Sequence, residues 1–155
     1  MHQPCLTPAL TSPPQQQNDD TLTIVAISLL AAIIASILHE GFGHAATALL
    51  TGAQSGLLTT VSWSSAQESR LVAAAGTGVN LAAALLFWLA LRSATRLSVR
   101  WRFLLVLGLA FNLFDGTGYF FFSGVTNFGD WAAVISHLPS HGLWRLFLIL
   151  AGMAS

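Results

Sequence analysis

The chain has no lysine among its 155 residues, only 8% charged residues in total, and a single cysteine. A soluble domain carries about a quarter charged residues. So thin a charge, with 54% hydrophobic residues and a mean hydropathy of +0.68, excludes an ordinary water-soluble globule and points to an integral membrane protein. The formal net charge is zero, and no basic patch with interleaved aromatics exists, which argues against nucleic acid as a partner. One cysteine, Cys5, cannot build a disulfide framework or a thiolate metal site within one chain.

What the chain does have is long apolar runs. Residues 1–20 are rich in Pro and Gln, lack apolar periodicity, and read as a disordered polar leader. That leader has neither the basic start nor the small-residue cleavage site of a signal peptide, so the run behind it is expected to be retained as a span. Thr21 to Leu38 is uncharged, and with His44 to Leu50 continuing it, one helix can cross a hydrocarbon core of roughly 30 Å. Leu71 to Leu91 and Phe103 to Phe122 are also long enough, whereas Leu143 to the end is too short to span comfortably. The expected fold class is all-α: a polytopic transmembrane helix bundle of three to four spans over residues 21–155.

Two connections carry information. Between the first two spans, Leu57 to Trp63 is rich in β-formers between Gly and Ser clusters, which predicts a short strand or hairpin at the membrane surface. Between the second and third, Arg92, Arg96, Arg100 and Arg102 collect four of the six arginines in a short loop. The positive-inside rule places that loop, and the leader with it, in the cytoplasm.

The chemistry is concentrated in His39-Glu40-Gly41-Phe42-Gly43-His44, at the end of the first apolar run, where unpaired polar groups cost most. In an HExxH helix the two histidines lie four residues apart, about 40° around the axis, so both reach one Zn²⁺ while the Glu activates water. Here they lie five apart, about 140° on an undisturbed helix, and could not share a metal. Two repairs are open. A π-bulge with i→i+5 bonding returns both histidines to one face, and two glycines permit the backbone to deform. Alternatively, Glu40 and His44, at i and i+4, form the metal-facing pair and His39 stands behind them. Against both stands a bland reading: interfacial polar groups bonded to one another, with Gly41 and Gly43 serving close helix packing.

Asp115 supplies the ligand type still needed. An acid in mid-span is costly unless paired, protonated or bound to a cation, and Asn112, Gly116 and Gly118 around it would allow a broken helix that opens a polar pocket. Two imidazoles, one carboxylate and a water complete a four-coordinate catalytic zinc site. Asn80 is a second intramembrane amide, suited to orienting a substrate backbone or the water, or else to pure helix packing. Asp130 reads as a structural cap on a helix from Trp131 to Leu138, with Trp131 and Trp144 as interfacial anchors.

These residues together resemble the site-2 protease family of intramembrane zinc metalloproteases. His39-Glu40 through His44-Ala45-Ala46 is similar to that family's HExxH segment with one residue added. Ala75-Gly76-Thr77-Gly78-Val79-Asn80 resembles its Ala-Gly-Pro-x-x-Asn pattern with Thr for Pro, and Asn112-Leu113-Phe114-Asp115-Gly116 resembles its Asn followed by Leu-Asp-Gly, with Phe for Leu. The similarity covers roughly residues 22–122. The resemblance implies that His39, His44 and Asp115 bind zinc and that Glu40 takes a proton from the zinc-activated water. Asn80 and Asn112 would position substrate or water. The substrate would be another protein's transmembrane helix, unwound locally within the lipid bilayer.

Rival classes are weaker. Membrane di-iron enzymes need about eight histidines, and this chain has five; Pro139 also interrupts His137 and His141. A bis-His haem would require His39 or His44 to face His137 from another span. The serious competitor is a non-catalytic relative that keeps the fold as a binding or regulatory membrane protein.

Overall fold

The computed structural model describes residues 21–52, 56–59, 62–64 and 69–155. The polar leader and Cys5 lie outside the described residues.

Among the described residues, five helices follow one another. Helix α1, Thr21–Leu50, contains a π-helical stretch, Ile37–Ala45; α2 is Arg70–Ser93, α3 Val99–Thr126, α4 Asp130–Ile135 and α5 His141–Ala154. The first three are long and apolar enough to cross a membrane, at 30, 24 and 28 residues, or about 45, 36 and 42 Å. Between α1 and α2 lies the expected β-element. Strand β1, Leu57–Leu58, pairs antiparallel with β2, Trp63–Ser64, in the register Leu57↔Ser64 and Leu58↔Trp63.

Small residues bring the helices together. The buried positions of α1 are mostly alanines, at Ala31, Ala35, Ala45 and Ala48, while Leu22, Leu29, Ile33 and Ile37 face outward. Helix α2 buries Val72, Ala73, Gly76, Thr77, Asn80, Ala83 and Ala84, a stripe at helical spacing. It packs against the π-helical stretch of α1, against α3 and against α4. A Cβ at Gly108 would lie 2.8 Å from the Phe87 ring, and one at Gly116 would lie 2.7 Å from Leu81, so these α3 glycines admit α2 side chains. Small residues inside and large apolar side chains outside suit helices long and apolar enough to cross a membrane.

Caps set the helix ends. The Ser69 hydroxyl accepts from the Val72 amide at 3.2 Å and starts α2. Helix α3 ends on Asn127 in the left-handed conformation, φ 56°, and Arg145 donates to the last carbonyls, Gly124 at 2.9 Å and Val125 at 2.8 Å. Contrary to the expected break, α3 runs without interruption through Asp115. Asn112 donates back to the Gly108 carbonyl at 2.7 Å, so its amide is satisfied within the helix it was expected to open.

A tight reversal follows. Asn127 and Gly129, φ 56° and 85°, turn the chain so that α4 returns against α2 and the end of α3. Trp131, expected as an interfacial anchor, instead points inward: its indole donates to Thr77 at 2.9 Å and its ring lies 4.8 Å from Phe120. Trp144 remains exposed on α5.

Candidate metal centre

The π-helical stretch does what the five-residue spacing requires. Nine residues, Ile37–Ala45, adopt i→i+5 geometry, and His39 and His44 emerge on one face with ring centroids 4.8 Å apart at 77°. Both rings are buried, at 3% and 2% exposure. Close packing makes room for them. A Cβ at Gly43 would lie 2.5 Å from the Gly76 Cα, so the backbones of α1 and α2 touch there. A Cβ at Gly76 would lie 2.6 Å from His39 Nε2 and 2.7 Å from His44 Nε2, so this glycine forms the floor beneath both nitrogens.

The carboxylate that meets them is Asp130. Its Oδ2 lies 3.0 Å from His39 Nε2 and 3.3 Å from His44 Nε2. Asp130 is the first residue of α4, whose N-cap is Gly129, and its carboxylate turns to the two histidines, correcting the structural-cap assignment. Burial pushes its carboxyl up, but the hydrogen bonds and charges of His39 and His44 outweigh that and hold it at about 2.

Among the described residues, His39, His44 and Asp130 form a group whose ligand atoms all lie within 4.8 Å of one another and could hold a metal ion. The donor chemistry fits. In tetrahedral geometry with bonds of about 2.0–2.1 Å, ligand atoms stand about 3.4 Å apart, and the two separations to Asp130 come close to this. His44 Nδ1 lies 2.7 Å from the Val72 carbonyl, which fixes Nδ1–H as donor and leaves Nε2 with a lone pair in the neutral ring. His39 is held by Tyr119, which stacks on it at 5.0 Å and 23°.

Glu40 lies between the two histidines in sequence and reaches the hairpin, where one oxygen of its carboxylate accepts from the Trp63 amide. This settles which pair shares a face: His39 and His44, with Glu40 beside them. A cavity of about 670 Å³ opens here, lined by Glu40, His44, Trp63, Tyr119, Asp130 and His141 among others.

The other expected ligand, Asp115, lies off this group. Asp115 faces α2, where Asn80 Nδ2 donates to its Oδ2 at 3.4 Å. Asn80 and Asn112 are fully buried, and neither lines the cavity at Glu40. The reason is the depth of Asp115 in α3: Tyr119, one turn further on, already stands at the level of His39, and only the reversal after Asn127 brings a carboxylate to Nε2. Tyr119 and the Val72 carbonyl, which contact the two rings, carry no signal in the sequence, and Gly76 stands there only as part of the Ala75 to Asn80 pattern. One signal for Asp130 existed, because after Glu68 the chain contains only two acids, Asp115 and Asp130.

No family model, no curated protein and no solved structure matches this chain.

Proposed function

We propose that the chain is a multi-pass membrane zinc metalloprotease-like protein of the site-2 protease type, with His39, His44 and Asp130 as its metal ligands. Its substrate class is a transmembrane segment of another protein. The observation that carries this reading is the convergence of both imidazole Nε2 atoms on one Asp130 oxygen, with Glu40 adjacent at a cavity wall. Three protein ligands from the nitrogen and oxygen series, with space on one side, are the donor set of catalytic rather than structural zinc.

Bound zinc supplies Lewis-acid polarisation of a peptide carbonyl and activation of water. The chain supplies the rest. The Trp63 amide fixes one Glu40 oxygen, leaving Oε1 to take a proton from water and return it to the departing amine. The Val72 carbonyl keeps His44 in the tautomer that presents Nε2, and Gly76 excludes any side chain from beneath it. The hairpin places Trp63 over Glu40, at the edge of the cavity.

Glu40→Gln separates the catalytic reading from its non-catalytic rival. We expect the variant to retain about one zinc per chain by mass spectrometry in detergent while cleavage of a reconstituted transmembrane substrate falls by about 10²-fold or more. Unchanged cleavage would remove Glu40 from the chemistry. Zinc in the parent with no cleavage of any transmembrane segment tested would leave a metal-binding regulatory protein.

A further inference from the structure

Two buried groups at this site lack partners, and their chemistry is complementary. His39 Nδ1 and Asn80 Oδ1 are both buried with no hydrogen-bond partner. A neutral His39 that offers its Nε2 lone pair carries its proton on Nδ1, and a buried N–H requires an acceptor. Asn80 offers one. Its Nδ2 donates to Asp115 Oδ2 at 3.4 Å, which leaves Oδ1 as the free acceptor.

The helices place these groups one turn apart. His39 lies between Gly76 of α2, beneath its Nε2, and Tyr119 of α3, against its face. Asn80 is four residues beyond Gly76 and Asp115 four residues before Tyr119. Because α2 and α3 run in opposite senses, both lie one turn deeper, about 5.4 Å, on the faces that already touch His39.

We propose that Asn80 and Asp115 are positioning residues for the metal centre: Asn80 Oδ1 accepts from His39 Nδ1–H through one buried water, and Asp115 anchors Asn80. Asp115 then acts on the metal through His39 and is not itself a ligand. This rests on the metal-centre reading above. It gives His39 the same kind of support that the Val72 carbonyl gives His44, and it accounts for two fully buried amide and imidazole atoms that packing alone leaves unsatisfied.

The test is zinc affinity by chelator competition, with the visible spectrum of the Co²⁺-substituted protein, on full-length chains in detergent whose helicity matches the parent. Asn80→Ala and the isosteric Asp115→Asn should each weaken binding about 10- to 100-fold while keeping the four-coordinate Co²⁺ spectrum. Asp130→Ala should lose that spectrum. The double variant Asn80→Ala/Asp115→Asn should bind no more weakly than Asn80→Ala alone, because Asp115 acts only through Asn80. Additive losses, parent-like affinity in either single variant, or loss of the spectrum in Asp115→Asn would overturn the proposal. A parent that binds neither Zn²⁺ nor Co²⁺ would overturn the metal-centre reading itself, and this inference with it.

Discussion

Gly76 carries the tightest steric constraint at the site. Any Cβ there would meet both metal-facing nitrogens at under 3 Å, and neither ring can retreat, since His44 is bonded to Val72 and His39 is stacked on Tyr119. Gly76→Ala is therefore expected to lose metal, with content falling well below half of the parent value, while Gly78→Ala, which meets nothing within 4 Å, keeps it. Mass spectrometry of the two purified variants decides this. Asp130 makes a second residue-level prediction. Its carboxyl is lowered from 3.8 to about 2, so the stability it adds is present above about pH 3.8 and is lost as pH falls through about 2. In metal-free protein, thermal melts should show Asp130→Asn less stable than the parent at pH 5, with the difference closing toward pH 2.

At the scale of the element, the π-helical stretch is an insertion absorbed into α1. A π-bulge amounts to one extra residue in an α-helix, and Phe42, within it, is 62% exposed. Deleting Phe42 restores the i, i+4 spacing of the two histidines and removes the need for i→i+5 bonding, so the deletion variant should still bind metal. Inserting one alanine after Phe42 rotates His44 by about 100° on its helix and should abolish binding. Metal stoichiometry on both variants checks this, and metal loss on deletion would mean that the π geometry itself shapes the centre. The hairpin works at the same scale: two residues in each strand suffice because its task is to set Trp63 over Glu40, not to build a sheet.

For the whole molecule, the long helices place chemistry and charge at opposite ends. His39 and His44 lie near the end of α1, Gly76 near the start of α2, and Tyr119 near the end of α3, whereas Arg92, Arg96, Arg100 and Arg102 flank the connection at the other end. The positive-inside rule predicts a cytoplasmic connection, and on that expectation the cavity at Glu40 would open toward the non-cytoplasmic face. Cysteines introduced one at a time into a Cys5→Ser background test the orientation. Gly142→Cys, near the cavity, should react with a membrane-impermeant maleimide on intact cells, and Ala94→Cys only after permeabilisation. The reverse pattern would invert the molecule.

Much of this protein is legible in its sequence because the determinants are local. Apolar length gives three spans, β-formers between Gly and Ser clusters give the hairpin, and the five-residue histidine spacing with two glycines offers the π-bulge as one of two repairs, each within one stretch of chain. The choice of carboxylate is not local. Asp115 and Asp130 are both lone acids in apolar surroundings, and no periodicity distinguishes them. Asp130 meets His39 across 91 positions of sequence, and it does so only because left-handed Asn127 and Gly129 reverse the chain onto α2. The sequence by itself determined which residue types were available and how the histidines would have to be wound to cooperate. Tertiary structure alone decided which acid reaches them, because that depends on the depth of each residue along packed helices and on the direction of one turn.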